Sequence, residues 1–418
     1  MFRDVAVSWF EVERYRSFAS RTRVELKPLT LLFGYNSAGK SALARALPLV
    51  AASCGGATFG PLALDAGVAR RAEYDDIVCK LESGDKMMFR VAWDDGPEDA
   101  RDIEWWTRGD ENKGHVLDSF IVRSASGVEQ LHLRDDLDRP EHYEIVGQPE
   151  KMSLRLAFDG LLPGPAGDTA LPAALKGVLG HAVSRLRSFQ DEVHWLSAVR
   201  AGFERGPRKA TAPKNLGEGG QWTGEKLITD QVAGGPVFPF VAEKVSRMFA
   251  QALFVTSVGD MKKLTLAPDL MSPLRVSVVD VGEGVSQVLA VLTTLGMASA
   301  GQLGAAPVVV LEQPEMHLHP RAEQVLAEAL CAVAGKAGVR LVVETHSENL
   351  LLFLQLQIAK GLVSPDDVGI LWIEAEEGRS RVEPIAVDPA GRPMGWPSGV
   401  FSEDAELARQ LFLARRGR

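Results

Sequence analysis

The chain has 418 residues, 46% hydrophobic and 24% charged, with a formal net charge of −9. This is the composition of an ordinary soluble protein, with enough apolar material for one large domain carrying an insertion or for two domains. An acidic whole excludes recognition of nucleic acid by overall charge, so any such partner must meet a local basic patch.

The first residues lack a charged segment followed by an apolar one, so no secretory signal is expected. No stretch approaches about 18 uninterrupted apolar residues. Residues 288–300 come nearest, but they are too few, carry threonines and a serine, and read as a buried helix. Cys54, Cys79 and Cys331 stand apart without a Cys-x-x-Cys pair, which predicts free thiols in a reducing compartment. A cytoplasmic protein with no membrane partner is the expectation.

Near the start, Trp9-Phe10-Glu11-Val12-Glu13-Arg14-Tyr15 and Arg23-Val24-Glu25-Leu26 alternate as short, half-buried strands. Leu29-Thr30-Leu31-Leu32-Phe33 reads as a buried strand and residues 42–47 as a helix. Between them, Gly34-Tyr35-Asn36-Ser37-Ala38-Gly39-Lys40-Ser41 places two glycines four residues apart before Lys-Ser, the phosphate-loop pattern in its proper strand–loop–helix context. The glycines let the backbone wrap a phosphate, and the helix N-terminus aims free N–H groups at it. Lys40 neutralises β/γ oxygens and Ser41 can ligate magnesium. Gly34, Asn36, Ser37, Ala38, Gly39, Lys40, Ser41 and Ala42 are therefore the candidate contacts to a nucleoside triphosphate.

Residues 51–147 turn to alternating, aromatic-dotted pieces such as Lys86-Met87-Met88-Phe89-Arg90-Val91-Ala92-Trp93, which predicts a β-rich lobe. From about 154 to 253 the chain reads as helical and irregular, with the clearest amphipathic helix at 173–189, and suggests an insertion or lid. Its only concentrated basic stretch is Arg200, Arg205, Arg208, Lys209 and Lys214, interleaved with Trp195, Phe203 and Trp222. Those residues can meet phosphates or stacked bases, or equally form a solvated loop. Beyond 264 a compact α/β pattern returns, with strands expected at 275–279, 308–311, 339–343 and 369–373. The predicted organisation is 1–150, the first half of the nucleotide domain with the β-rich lobe; 151–263, a helical insertion; and 264–418, the second half.

Val308-Val309-Val310-Leu311-Glu312 is an apolar strand ending in a carboxylate, as a magnesium-holding motif requires, although alone it reads equally as a buried strand meeting a turn. Gln313-Pro314-Glu315-Met316-His317-Leu318-His319-Pro320 follows. A further strand, Leu341-Val342-Val343, ends in Glu344-Thr345-His346-Ser347 and puts His346 at the same sheet edge, within reach of a γ-phosphate. The glycine-rich turn Asp280-Val281-Gly282-Glu283-Gly284-Val285-Ser286-Gln287 precedes a long apolar helix and again presents backbone N–H groups.

The order of these motifs resembles the ABC-type ATPases of the SMC, RecF and OLD group. It is most similar to the stand-alone AAA-family ATPases of bacterial anti-phage systems, the Septu-type and OLD-like ones. The resemblance covers residues 1–50 and 275–405, and implies an ABC-type P-loop NTPase fold with a β-rich lobe and an inserted helical subdomain, taking ATP and Mg2+. It implies a head-to-tail homodimer in which Gly282, Gly284 and Gln287 act on the partner's nucleotide, with Ser41 and Glu312 on the metal and His346 as switch histidine. A separately encoded nuclease or toxin would be the effector; the alternative reading is a DNA-binding or DNA-repair ATPase in the SMC/RecF manner, with DNA as its partner.

The sequence departs from the family at three places. Gly282 replaces the usual signature serine, leaving the γ-phosphate contact to backbone N–H groups or Ser286. Asp75 or Asp76 is the nearest stand-in for a Gln-loop residue. Gln313 stands where relatives carry the glutamate that orients water, which leaves three accounts: Glu315 supplies the carboxylate, turnover is slow, since losing a general base costs about 10²–10⁴ in rate, or the glutamine is an introduced, ATP-trapping residue; the family's own use of Gln-Pro-Glu favours a natural one. His317 and His319 have a metal-pair spacing but match the family's interface loop. A chain that is itself an OLD-like nuclease is disfavoured, because only residues 347–418 follow His346.

Overall fold

The structure, a computed structural model, describes residues 6–55, 60–94, 100–124, 127–133, 142–146, 153–166, 173–203, 215–259 and 261–397, together with 410 and 413. Strands β1 (Val7–Glu13), β2 (Thr22–Glu25) and β3 (Leu29–Gly34) lead into helix α1 (Lys40–Ala52). A one-turn α2 (Tyr74–Ile77) precedes β4 (Lys86–Trp93), β5 (Asp102–Asp110), β6 (Gly114–Ser124), β7 (Gly127–Leu133), β8 (His142–Ile145), β9 (Ser153–Asp159) and β10 (Leu162–Ala166). Then come α3 (Ala173–Glu192), β11 (Val193–Leu196), α4 (Thr223–Ala233), α5 (Val237–Phe249), β12 (Ala252–Val258), β13 (Met261–Ala267) and β14 (Val276–Ser277). The remainder alternates α6 (Glu283–Ser299), β15 (Val308–Glu312), α7 (Pro320–Val333), β16 (Arg340–Glu344) and α8 (Glu348–Ala359) before β17 (Val368–Glu376), β18 (Arg379–Val387) and β19 (Pro393–Met394).

Two large sheets organise these elements. One is antiparallel, in the order β10-β9-β8-β7-β6-β5-β4-β1-β2; the other runs β11-β15-β16-β3-β17-β18-β19. In the second, β11, β15, β16, β3 and β17 are mutually parallel and β18 and β19 add on antiparallel. Parallel strands covered on both faces read as unbroken apolar runs, and Val308, Val309, Val310 and Leu311 are all fully buried. Their side chains alternate between two cores. Val308, Val310 and Leu32 join the core shared with α1, α3 and the antiparallel sheet. Val309, Leu311, Leu31 and Phe33 join the opposite core, packed by α5, α6, α7 and α8.

Both chain ends thus build one nucleotide-type sheet, because β3 is inserted between β16 and β17. The strand ends of β3, β15 and β16 fall in register: Glu312 pairs with Glu344, and Glu344 with Leu32. Everything chemical that follows lies along this carboxyl edge, where open α/β sheets place their ligands.

The structure differs from the sequence reading in the middle of the chain. Strands β9, β10 and β11 occupy part of the stretch expected to be helical. Pro163, Gly164 and Pro165 conceal β10, which is tolerated because it is the edge strand of its sheet. The strand expected at 275–279 shrinks to Val276–Ser277 followed by a 3₁₀ turn, Val278–Asp280. Basic residues Arg205, Arg208, Lys209 and Lys214 lie outside the described residues.

Candidate functional site

The loop Gly34–Ser41 connects β3 to the N-terminus of α1, whose first turn carries no acidic side chain. Its backbone requires its glycines. Gly34 has φ 151° and a Cβ there would sit 2.0 Å from the Ile373 carbonyl oxygen; Gly39 has φ 103° and a Cβ would sit 2.6 Å from Ser380 Oγ. Left-handed backbone of this kind is open to glycine at little cost. Ser37 also adopts positive φ, 63°. From behind, Ser380 on β18 donates to the Ala38 carbonyl at 2.7 Å and lies 2.7 Å from Ser17 Oγ, so two serines brace the loop.

Lys40 is buried and its ammonium donates to the carbonyls of Gly34 at 2.8 Å and Tyr35 at 2.6 Å, inside the curve of the loop. Burial lowers its pKa, and Glu344 partly restores it. Tyr35, Asn36 and Ser37 are exposed, so the mouth of the loop faces solvent. A helix N-terminus with a buried cation beside it is the arrangement that anion sites use.

The two strand-end carboxylates divide the remaining work. Glu312, 1% exposed, accepts from Arg45 Nε and Nη2 at 2.5 Å each and from Trp195 Nε1 at 2.9 Å. Arg45 lies over the Trp195 ring at 5.3 Å. Ser41 makes no described bond to Glu312; its hydroxyl donates to Glu344 Oε1 at 2.7 Å. Glu344 is 2% exposed, and its Oε2 is buried with no partner among the described residues. Burial raises its pKa, offset by the Ser41 bond and by Lys40.

Gln313, Glu315 and His346 meet at the end of β16. Gln313 has a left-handed φ of 42°, held by its N–H donating to the Glu344 carbonyl at 2.8 Å. Non-glycine residues in this region cost of order 1–3 kcal/mol and persist where their surroundings fix them. Arg200, 5% exposed, supplies part of that fixing by donating to the Glu312 carbonyl at 2.7 Å and that of Gln313 at 3.2 Å. Its pKa is pushed down to about 10 by burial, against the pull of Glu315 and Glu312. Glu315 Oε1 accepts from Thr345 Oγ1 at 2.7 Å and from the His346 N–H at 3.0 Å, and burial raises its pKa. His346 is exposed; partial burial and then Lys40 lower its pKa, favouring the neutral form.

The signature turn lies against this loop within the chain. Gly282 caps α6 and is exposed. A Cβ at Gly284 would come 2.6 Å from the His317 carbonyl, so only glycine permits the approach. Gln287 Nε2 reaches the Arg200 carbonyl at 3.5 Å, and its buried Oε1 has no partner among the described residues. Asp76 closes a capping box with Glu73 on α2 and makes no described bond to the phosphate loop. His317 lies 3.6 Å from Glu283, while His319 caps α7 by accepting from the Arg321 N–H.

Sequence reading passed over Glu344, Arg45, Ser17 and Ser380. Glu344 carried a signal, since Val308–Glu312 and Arg340–Glu344 are two apolar strands that each end in glutamate.

Residues 269–352 match a family described as an AAA domain, putative AbiEii toxin, type IV TA system. The matched stretch holds the signature turn, Glu312 and His346 but not the phosphate loop. Among solved structures, the SMC head bound to the C-winged helix domain of ScpA is 9% identical, covers 92% of this chain and 99% of that one, and superposes with a TM-score of 0.51. An SMC head with an extended coiled coil bound to the C-terminal domain of ScpA, derived from Pyrococcus furiosus, is 9% identical, with 99% and 100% coverage and a TM-score of 0.47. The SMC head domain from Thermotoga maritima is 10% identical, with 91% and 100% coverage and a TM-score of 0.43. A search of curated proteins finds no match. The chain has a mixed α/β, P-loop NTPase fold similar to the ABC-type ATPase head of SMC proteins. Within that fold, the stretch 269–352 is similar to an AAA domain of the AbiEii kind.

Proposed function

We propose that this protein binds ATP with Mg2+ at the loop Gly34–Ser41, hydrolyses it slowly, and uses the bound triphosphate as a signal for assembly with a second copy. The observation that carries the reading is the convergence of the buried Lys40, the α1 N-terminus, Glu315 and His346 on one sheet edge. Slow turnover follows from Gln313, whose amide cannot take a proton and which stands at the position of the usual water-orienting glutamate.

Assembly is supported by the exposed signature turn and by the loop ahead of it, where Leu270 and Met271 are 73% and 92% exposed beside Leu274. An exposed apolar group next to a site of this kind marks an interaction surface. Gly282, Gly284 and Gln287 would then close on the partner's triphosphate. The chain's role is to control a nuclease or toxin effector in anti-phage defence, a reading that rests on the motif resemblance; the matched family's description names a toxin.

The test is steady-state ATP hydrolysis and light-scattering mass, with and without ATP, for wild type, Lys40→Ala, Gln313→Glu and Glu315→Gln. The reading expects weak wild-type turnover, an ATP-dependent dimer lost in Lys40→Ala, and a gain of about tenfold or more in Gln313→Glu. Fast wild-type turnover with no change in mass on adding ATP would sink it.

A further inference from the structure

Mg2+ at a P-loop is ordinarily held by the loop serine or threonine and the carboxylate ending the motif strand, here Ser41 and Glu312. The side chains are arranged otherwise. Glu312 is engaged on both oxygens: Arg45 Nε and Nη2 and the Trp195 indole N–H all donate to it. The Arg45 and Glu312 side chains are only 8% and 2% exposed. To reach a cation, Glu312 would have to leave a buried ion pair and strand an arginine. One strand over, in register with it, Glu344 has the opposite character. Its Oε1 already holds the Ser41 hydroxyl at 2.7 Å, and its Oε2 is buried without a partner among the described residues.

We infer that the divalent cation accompanying the nucleotide is held by Ser41 and Glu344, and that Glu312 is an anchor for Arg45 and Trp195 rather than a metal ligand. A buried carboxylate oxygen with no donor is a costly feature unless a cation or proton completes it. Mg2+ commonly takes one or two protein oxygens, its remaining positions going to water and phosphate. The pairing is written into the register: only a parallel neighbour of β15 inserted next to β3 brings a second strand-end glutamate to the first turn of α1.

This inference rests on the nucleotide reading above, and its test separates the two. Full-length chain is titrated with a fluorescent methylanthraniloyl ATP analogue in EDTA, then with Mn2+ in the presence of the non-hydrolysable imido analogue of ATP, with bound Mn2+ read by electron paramagnetic resonance. Wild type, Glu344→Gln, Glu344→Asp and Glu312→Gln are compared. Glu344→Gln and Glu344→Asp are expected to weaken Mn2+ binding by about tenfold or more while leaving nucleotide affinity in EDTA at the wild-type level. Glu312→Gln is expected to keep wild-type Mn2+ affinity and lose thermal stability; if it does not fold, the double replacement Arg45→Met with Glu312→Leu takes its place. Wild-type Mn2+ affinity in both Glu344 variants, or a loss in the Glu312 variant as large as theirs, overturns the inference. No nucleotide binding by wild type in EDTA overturns the nucleotide reading and this inference with it.

Discussion

Glu312 and Glu344 end adjacent parallel strands in direct register, yet they serve different partners: Glu312 is closed by the Arg45 fork and Glu344 holds the Ser41 hydroxyl. Two like charges this close in a buried edge are tolerable only because each meets an opposite charge or a donor. Arg45 and Ser41 both lie on α1, so the first two turns of one helix sort the two carboxylates.

That sorting makes Arg45 a stability residue. Arg45→Met should cost about 3–5 kcal/mol, because it leaves Glu312 buried and uncompensated. The double variant Arg45→Met with Glu312→Leu should recover most of the loss, since a neutral, well-packed pair removes the stranded charge. Urea unfolding of the three proteins decides it; a single variant as stable as wild type would show that the pair contributes nothing.

The stability–pH profile has a definite sign. Glu344 and Glu315 both have raised carboxyl pKa values through burial, so between the unfolded and folded values the native state binds more protons than the unfolded chain. Their contribution is complete below the unfolded glutamate pKa of about 4.3 and is lost as pH rises through the folded values. Glu344→Gln should therefore flatten the decline in unfolding free energy on the neutral side of that pH. Chemical denaturation at several pH values tests this, and an unchanged slope would refute it.

How far the sequence announced this site depends on how local each piece is. Gly34–Ser41 was readable because the phosphate-loop spacing, the strand before it and the helix after it are contiguous. Strands β3, β15 and β16 were readable because fully buried parallel strands leave unbroken apolar runs. Arg45 and Glu312 are 267 positions apart, and Ser380 and Ala38 are 342 apart, so no local pattern ties them. Glu344 was visible as a residue but not as a partner of Ser41, since its role depends on strand order, which periodicity does not encode. Edge strand β10 was hidden by its two prolines.

Phosphate-loop geometry should be intolerant of a single methyl group. Gly39→Ala forces a Cβ to within 2.6 Å of Ser380 Oγ and 3.2 Å of Phe18, at a φ of 103°. Left-handed strain alone costs of order 1–3 kcal/mol. Relief by moving Ser380 would break its bond to Ala38. We expect a lower melting temperature together with loss of nucleotide binding, and a pairing with Ser380→Gly that restores part of the stability. Wild-type melting and binding in Gly39→Ala would mean that the loop adapts.

His346 reports on the charge beside it. Its imidazole pKa is lowered by burial first and by Lys40 second, so the neutral ring dominates at pH 7, and its contribution to stability, complete above the unfolded value of about 6.5, is lost as pH falls below that through the lowered folded value. In a proton–nitrogen NMR titration the midpoint should fall below the usual value of about 6.5. Lys40→Met removes one of the two causes and should move the midpoint upward, while leaving the burial contribution in place. Adding ATP to wild type should also raise it, since a triphosphate brings negative charge to a ring that now faces a cation. A midpoint unmoved by both changes would separate His346 from the phosphate loop and remove it from the switch role.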